Sequence, residues 1–592
     1  MRQFLTRKPV LLLLAVLLVL LMVWGVRGYS HWREAEALRV ARDKFELQPG
    51  IAVRTDFRGG LPEGIEKPFR PLGWSSPREF QDEVLVYLST FRPELITEAR
   101  ELYSFETLEE LVLGETTRPP SFSDAELTWL GDLPNLKKLT FFNCQLTDKT
   151  LPVIAQLTSL TELKFQGCSD LQGEQLTELA SLTNLKKLDL GQHHDPSNVW
   201  KLACDLPQLE LLLFDGSSHY SGSDFYLTDE HLADLEHDLN LNYLPAAGLK
   251  ISDKSIPKLN HLPLLLSLDL TNSKVTADSL KSLTNLRELQ HLRISGLPVT
   301  DDSLAMLAHT PELNSLFAGE TLITDEGLKQ IQHCPRLRSL GIGRTRCTGE
   351  GFADLQMSLL SSLHLYECPV TSAGMQAIGN LPQIESVSLN RIDTTPKGLF
   401  ENFRPDHAVQ LQLTGIELSP ETAASLAGIP YLVSLGLFGA SAEDGSIAKL
   451  AAARDLTTLN LGQVHVTVSD LESIAGMPKL THLNLNNSEL EDAHLEPISR
   501  MTGMKELSIN GNPITDAGAK HLASLKNLTV LNAINTKLSD AAIESLLQMT
   551  SLQQVSLQET EITDSGLKKL KDALSNAPSR RDIEEELRQQ LR

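Results

Sequence analysis

The fold is decided by a repeat whose clearest copies are LPLLLSLDLTNSKVTADSLKSL at residues 262–283 and LRELQHLRISGLPVTDDSLAML at residues 286–307. The two copies start 24 residues apart and carry leucines at the same places. A fixed period of this length predicts a repeat architecture rather than a set of globular domains. Tracing the pattern gives nineteen units over residues 105–572, which begin at residues 105, 133, 157, 182, 206, 238, 262, 286, 310, 334, 357, 381, 405, 429, 453, 477, 501, 525 and 549.

Each unit predicts a short strand, a turn and a short helix. In the unit that begins at residue 286, Leu292 and Ile294 alternate in the way expected of the buried face of a strand. Thr300 then has the character of a helix N-cap, and the charge of Asp301 suits the first helical turn. Leu304 begins an apolar helical face. A single unit cannot bury its apolar side, so the units are expected to stack into one continuous core.

The turn and helix start also carry a family resemblance, seen as ITDEGL at residues 323–328 and ITDSGL at residues 562–567. The repeat resembles leucine-rich repeat proteins, close to the cysteine-containing and ribonuclease-inhibitor-like subtypes, and it is similar to repeats of bacterial membrane-anchored members. The resemblance implies an α/β horseshoe solenoid with a parallel β-sheet on the concave face and short helices on the convex face. It also implies a protein partner.

The charge of the chain restricts its partners. The 592 residues carry a formal net charge of -23. Such an acidic surface repels the phosphates of nucleic acids and of anionic lipids. We therefore expect no nucleic-acid partner.

The N-terminus predicts a membrane anchor. An uncharged run from Val10 to Val26 follows Arg7 and Lys8, and no good cleavage site comes after it. We expect residues 9–27 to remain as a single-pass signal anchor, with residues 1–8 as a cytoplasmic tail and the solenoid outside the cytoplasm. The number of basic residues is similar on the two sides, so charge does not set the orientation, although large domains translocate regardless of it.

Four further segments complete the expected organisation. Residues 28–80 are expected to form a juxtamembrane helix and an irregular spacer, because 51–80 lack periodicity. Residues 81–104 resemble a degenerate N-terminal capping unit, since terminal repeats must be atypical. The solenoid then covers residues 105–572, and residues 573–592 form a charged C-terminal cap or tail.

Two groups of residues raise the question of redox or metal chemistry. Cys144 and Cys168 lie one repeat apart at the same position, so they are expected to stack, which leaves open whether they form a disulfide. The irregular rim at residues 191–226 contains possible metal ligands, or is simply a solvated loop. These ligands would be His193, His194, Asp195, His219 and Asp224. No known catalytic or cofactor motif occurs, and we predict neither enzymatic activity nor a bound metal or cofactor.

The concave face is the candidate binding surface, because alternate strand side chains point away from the leucine core. It is neutral and rich in amides, which suits a hydrogen-bonding ligand such as an extended peptide or a glycan. The alternative is a polar ladder that only keeps an exposed sheet soluble. The residues predicted to contact a ligand are Phe317, His364, Tyr366, Phe438, Asn460, Asn484, Asn486, Asn510 and Asn532.

Three functions are compatible with these features. The favoured one is a non-enzymatic, membrane-anchored scaffold that binds a protein or another extended ligand through its concave face. The second is a structural component of the cell envelope that self-associates or binds cell-wall glycan. The third is a metal-dependent enzyme that uses the rim at residues 191–226.

Overall fold

The computed structural model describes part of the chain. Its described residues are 51–58, 82–90, 96, 105–114, 122–168, 175–191, 196–213, 226–233, 235, 237–244, 248–271, 273–353, 355, 359–394 and 398–575. The predicted anchor at 9–27, the tail at 1–8, the five rim residues with possible ligands and most of 573–592 lie outside them. Among the described residues, no helix has both the length and the apolar character needed to cross a membrane.

The chain divides into two compact units. The first comprises Met1–Gly248 with His261–Leu265, and the second comprises Leu249–Asn260 with Leu266–Arg592. Each unit contains one large sheet built from the predicted repeat strands.

The first unit holds a seven-stranded sheet whose order follows the chain. Its first two strands pair antiparallel, and every later neighbour pairs in parallel. The strands are Ile51–Arg58, Asp82–Thr90, Glu110–Gly114, Lys138–Phe142, Glu162–Gln166, Lys187–Asp189 and Leu211–Leu213.

The N-terminal edge of this sheet corrects one expectation. The strand Ile51–Arg58 lies in the stretch 51–80 that was predicted to be irregular. It pairs antiparallel with Asp82–Thr90, which in turn pairs in parallel with Glu110–Gly114. The prediction failed because a partner strand more than twenty residues away supplies the backbone hydrogen bonds, and no local periodicity reports it.

The second unit holds a sheet of thirteen parallel strands. Neighbouring strands pair with their central apolar residues in register, as in the series Leu268, Leu292, Leu316 and Leu340. The strands are Ser267–Asp269, His291–Arg293, Ser315–Phe317, Ser339–Gly341, Ser362–Tyr366, Ser386–Asn390, Val409–Gln412, Leu432–Gly436, Thr458–Asn460, His482–Asn484, Glu506–Ser508, Val530–Asn532 and Gln554–Ser556.

The repeat register is confirmed by burial. Leu292, Ile294 and Leu304 are at most 1 % exposed, and Asp301 begins a helix that Thr300 precedes as its N-cap. Eighteen of the nineteen units contribute a strand to one of the two large sheets. In the described residues of the unit that begins at 238, Leu239 and Leu241 are buried without such a strand.

The remaining elements are short. Four short strands lie outside the large sheets, at Tyr226–Thr228, Gly248–Lys250, Glu417–Leu418 and Ser441–Ala442. The α-helices are Leu151–Ile154, Pro196–Cys204, Asp229–Ala233, Ala277–Leu280, Asp325–Leu328, Ser372–Gly379, Pro420–Ala427, Ser446–Lys449, Val468–Ile474, Leu495–Ile498, Asp516–Leu522, Ile543–Leu547 and Asp564–Ser575. The 3-10 helices are Phe105–Thr107, Asp124–Glu126, Thr128–Asp132, Asp148–Thr150, Leu176–Ser181, Ile256–His261, Asp301–His309, Lys329–His333, Glu350–Phe352, Leu450–Ala452, Asp492–His494 and Asp540–Ala542.

An aspartate at the start of the helical segment links neighbouring units in many repeats. The Asp492 carboxylate accepts the backbone N–H of Thr515 at 2.8 Å and its hydroxyl at 2.6 Å. A Cβ on Gly518 would lie 2.4 Å from the same carboxylate, so this glycine makes room for it. The same aspartate clamp joins Asp124 to Thr147, Asp253 to Thr276, Asp301 to Thr324, Asp325 to Thr348, Asp516 to Ser539 and Asp540 to Thr563. The clamp gives the recurring TDxG sequence its physical meaning.

Candidate functional site

The candidate site lies on the side of the thirteen-stranded sheet opposite the leucine core, which we call the ladder face. Three columns of side chains run along it: the residues one before, one after and three after each central apolar residue. In the unit with Leu483 at its centre these are His482, Asn484 and Asn486. All nine residues predicted to contact a ligand lie in the second or third column, and all are partly exposed.

Five of them form the asparagine strip, which occupies four neighbouring units. Its members are Asn460, Asn484, Asn486, Asn510 and Asn532. Asn460 pairs with Asn484, Asn484 with Ser508, and Ser508 with Asn532 across the sheet. Since neighbouring strands are about 4.8 Å apart, the strip extends over roughly 14 Å in this direction.

The side-chain carbonyls of the strip satisfy backbone donors. In the second column, Asn460 Oδ1 accepts the N–H of Gly462 at 3.0 Å, and Asn484 Oδ1 accepts the N–H of Asn486 at 2.9 Å. In the third column the bond crosses to the next unit: Asn486 Oδ1 accepts the N–H of Asn510 at 2.8 Å. Asn510 Oδ1 likewise accepts the N–H of Ile534, at 2.7 Å. These bonds fix which way each amide points.

The amide NH2 groups are consequently turned away from the backbone. Within the described part of the chain, Nδ2 of Asn460, Asn484, Asn486 and Asn510 donates no hydrogen bond to protein. Asn532 differs, because its Nδ2 donates to Ser508 Oγ at 2.9 Å. Most of the strip therefore presents two unused donors per residue, while each of these carbonyls already accepts one backbone N–H.

The aromatic residues have a structural role that the sequence did not reveal, since each covers a glycine. Phe317 leans over Gly341, where an added Cβ would lie 2.4 Å from the ring. The ring stacks against His364 at a centroid distance of 6.3 Å, and the Arg293 guanidinium lies 5.1 Å from its centroid. Burial lowers the pKa of His364, which disfavours its charged form.

Tyr366 lies across Gly343 and Gly319 in the third column. A Cβ on Gly343 would lie 1.8 Å from the tyrosine ring. The phenol donates to Glu320 Oε1 at 3.3 Å, and the Arg344 guanidinium lies 5.8 Å from the ring centroid. Burial raises the pKa of Tyr366, and the Glu320 carboxylate adds to the increase. Tyr366 is thus held flat on the sheet by its neighbours.

The turn beside Tyr366 carries a row of charges that the sequence reasoning missed. Glu320, Arg344, Glu367 and Arg391 follow one another in successive units, all with φ between 50° and 56°. Apart from Glu559 in the last unit, the other units of this sheet with a left-handed residue here carry glycine, asparagine or glutamine, and a non-glycine residue in this conformation costs about 1–2 kcal/mol. Arg344 binds Glu367 at 2.6 Å and Glu320 at 3.2 Å, which lowers the pKa of Glu367. Consecutive charged residues in place of glycine were the available sequence signal.

Phe438 is the most exposed of the three predicted aromatic anchors. Its side chain is 37 % exposed, although it leans towards Gly462, whose Cβ would lie 3.0 Å from the ring. Phe438 stands next to Asn460, so it borders the asparagine strip. Phe317 and Tyr366 belong to units nearer the N-terminus and form a separate aromatic segment.

The cysteines offer little chemistry. All six are buried, and none forms a disulfide. Cys144 and Cys168 interact through a side-chain hydrogen bond, which together with burial raises the pKa of Cys144. Burial raises the pKa of Cys334 to about 11 and that of Cys347 to about 12. The thiols of Cys144, Cys334 and Cys347 are therefore protonated at neutral pH and are poor nucleophiles.

The first of the two compact units contains a shallow depression of about 560 Å3 at the loops that precede its strands. Asn184 and Ser159 line it, and their side chains bond the backbone carbonyls of Thr158 and Pro134. Its lining side chains thus support the loops. Among the described residues, no cluster of three or more His, Cys, Asp or Glu could hold a metal ion.

Comparison with known proteins gives the following matches. The family model described as Leucine Rich repeat matches residues 502–523 and 548–571. No curated protein matches the sequence. Among solved structures, an internalin (inlF) from Listeria monocytogenes is 24 % identical, with 57 % of this chain and 86 % of that chain covered and a TM-score of 0.34.

Two further solved structures are similar to this chain. A TLR13–ssRNA13 complex is 16 % identical over 80 % of this chain and 81 % of the other, with a TM-score of 0.45. A plant peptide hormone receptor, RGFR1 in complex with RGF2, is 16 % identical over 73 % and 79 %, with a TM-score of 0.31. Similarities of this size carry no argument about function. The family-model match and the repeating parallel sheet with its short helices together support a leucine-rich repeat protein.

Proposed function

We propose that the chain is a non-enzymatic binding scaffold, anchored to a membrane through residues 9–27, that holds a protein or another extended ligand along its ladder face outside the cytoplasm. The observation that carries the proposal is the asparagine strip: four amide groups are fixed by backbone hydrogen bonds and have unused donors. A surface that is ordered before binding loses little conformational entropy when the ligand arrives.

The glycine contacts narrow the choice of aromatic anchor. Removing the ring of Phe317 or Tyr366 would uncover Gly341 or Gly343, so loss of binding after either change would be ambiguous. Phe438 covers Gly462 less closely, at 3.0 Å from the added Cβ, and it is more exposed and borders the strip, which makes it the better probe. Aromatic side chains are enriched among residues that dominate binding energy.

The ladder face is tested by ligand capture with the full chain as bait on a membrane extract. We expect Phe438→Ala to reduce capture at least tenfold and to leave the hydrogen-exchange pattern of the sheet unchanged. Lys329→Ala is the matched control, because Lys329 lies on a helix and pairs with Glu326 at 2.7 Å. Equal capture by the wild type and by Phe438→Ala, together with a loss in Lys329→Ala, would move the site to the helical side.

The anchor is tested independently by N-terminal sequencing of the protein extracted from membranes. Retention of residues 9–27 is expected, because the run from Val10 to Val26 is uncharged and lacks a good cleavage site. A mature chain that starts after Gly28 would show a cleaved signal peptide instead. That result would leave the binding proposal intact.

A further inference from the structure

The asparagine strip performs two separable tasks. Its side-chain carbonyls stabilise the turns by accepting backbone N–H groups, and its NH2 groups point outward. The first task does not require asparagine. Asp269 accepts the N–H of Thr271 at 2.9 Å, and Asp189 accepts the N–H of Gly191 at 3.0 Å, at the same position of their units.

The third column gives the same result. Asn486 accepts the N–H of Asn510 in the next unit, and Ser295 accepts the N–H of Gly319 in the equivalent geometry at 3.1 Å. An aspartate or a serine therefore satisfies the backbone as well as an asparagine does. What the asparagines add is a neutral group with two outward donors and no remaining negative charge. The backbone hydrogen bond alone does not require asparagine, and we take the outward donors that it leaves as the feature that points to the ligand.

The ligand must present acceptors to this row of donors. An extended polypeptide alternates N–H and C=O groups, but each carbonyl of Asn460, Asn484, Asn486 and Asn510 already accepts one backbone N–H, so each residue offers two donors and only one further lone pair. A hydroxyl oxygen always offers a lone pair, because its hydrogen rotates to suit the neighbours. The strip thus presents more donors than free acceptor sites, and hydroxyl-rich ligands match that surplus better than a peptide backbone, which offers donors and acceptors in equal number.

Charge restricts the ligand further. Carboxylates and phosphates also accept hydrogen bonds, but the negatively charged Glu506 lies beside the strip, where it is the strand-register neighbour of His482 in the first column. The whole chain has a net charge of -23, which disfavours an anionic polymer. The partly exposed ring of Phe438 at the border of the strip offers an apolar contact for the C–H face of a sugar ring.

We propose that the asparagine strip binds a neutral polysaccharide, with the amide NH2 groups donating to successive sugar oxygens and Phe438 contacting a sugar ring. The inference rests on the proposed scaffold function and names its ligand class. One chemically uniform polymer suits a surface that repeats the same group from unit to unit. Asn460 and Asn484, which carry these donors, are register partners on neighbouring strands.

The decisive variant is N460D/N484D in the full chain. Each aspartate keeps an oxygen that accepts the N–H of Gly462 or Asn486, as Asp269 does for Thr271, so the turns are retained. Only the outward donors are replaced, by carboxylate oxygens. The matched control is Asp269→Asn, which makes the reverse exchange outside the strip.

The probes are immobilised neutral glucan, mannan and N-acetylglucosamine oligosaccharides, with an anionic polyuronate and an unfolded polypeptide for comparison. We expect the wild type and Asp269→Asn to retain at least one neutral oligosaccharide, and N460D/N484D to lose at least tenfold in affinity. Amide hydrogen exchange at Gly462 and Asn486 should stay unchanged in the double variant. Phe438→Ala should weaken binding of the same oligosaccharide.

Several outcomes would overturn the proposal. They are the absence of binding to any neutral oligosaccharide, equal binding by N460D/N484D, and a stronger interaction with the polyuronate or the polypeptide than with every neutral probe. A protein captured from the membrane extract and lost in N460D/N484D would also overturn it, and would leave the scaffold function standing. Capture that no ladder-face substitution affects would instead remove the ladder face as the binding surface of the proposed scaffold.

Discussion

The faces of the two large sheets differ although their cores are alike. In the first unit the residues before the central leucines alternate in charge, and Glu110, Lys138, Glu162 and Lys187 follow one another in register. In the second unit the corresponding positions of the last six strands, from Leu432–Gly436 to Gln554–Ser556, carry a single Asp, Glu, Lys or Arg, which is Glu506. Both faces cover a layer of fully buried leucines. The comparison shows that the repeat fixes the core and leaves the face free to vary.

Hydrogen bonding differs in the same way. The charged rungs of the first unit pair side chain to side chain, as Lys138 with Glu110 at 3.8 Å and Lys164 with Glu162 at 2.5 Å. The asparagine strip pairs side chain to backbone. In an ion pair each charge is balanced by its partner, whereas a backbone-bonded amide keeps both of its donors. For this reason the second face is the better candidate for binding.

The largest effect is expected in the cores and should be equal in both units. Leu163 and Leu483 occupy equivalent inward positions and are 0 % and 2 % exposed. Replacing either by alanine should lower the free energy of unfolding by about 2–5 kcal/mol, and Leu292→Ala should do the same. Hydrogen exchange would locate the loss, since a repeat array need not unfold in one step. Unchanged protection around these sites would mean that the repeat register is wrong.

A smaller loss is expected where the aspartate clamp meets glycine. A methyl group on Gly518 would lie 2.4 Å from Asp492 Oδ1, so Gly518→Ala forces the carboxylate away from Thr515. The expected cost is about 1–3 kcal/mol, measured by denaturant unfolding. Gly503→Ala is the control, because nothing lies within 4 Å of its added Cβ. A similar cost for both variants would remove the clamp as the explanation of the TDxG sequence.

The clamp also predicts a response to acid. Hydrogen bonds from the Thr563 side chain and backbone lower the pKa of Asp540 below its ordinary value of 3.8. A carboxylate with a depressed pKa in the folded state contributes stability above the unfolded-state pKa, and the contribution disappears as pH falls through the folded value. Exchange protection of the Thr563 amide should therefore be constant from pH 7 to about 4 and fall below it. Constant protection down to pH 2 would contradict this linkage.

The smallest effect should distinguish the two faces by salt. The Lys186–Glu210 pair of the first unit, at 2.7 Å, has half-exposed partners, so Lys186→Met should cost about 0.2–1 kcal/mol at low ionic strength and less in 1 M salt. A change of Asn484 to serine should show no such salt dependence, because its bond to Asn486 involves no charge. Equal salt sensitivity of both variants would show that charge is not what separates the faces.

The sequence predicted the repeat register but not the contacts that cross between units. Leu292 and Ile294 were assigned inward from their alternation, and both are buried. The bond from Asp492 to Thr515 escaped prediction because it joins residues 23 positions apart. The contacts of Phe317 with Gly341 and of Tyr366 with Gly343 were not predicted for the same reason, because each glycine is distant in sequence from the ring that covers it. The strand Ile51–Arg58 shows no local pattern and depends on its partner.

The sequence by itself determined the period, the leucine core, the outward placement of the nine predicted residues and the acidic charge. These features follow from a side-chain pattern that repeats about every 24 residues and can be read along the sequence alone. Only the tertiary structure decided what the outward side chains contact, because many of their partners belong to the neighbouring repeat unit. It assigned the carbonyls of Asn460 and Asn484 to the backbone, left their NH2 groups outward, and laid Phe317 and Tyr366 on glycines.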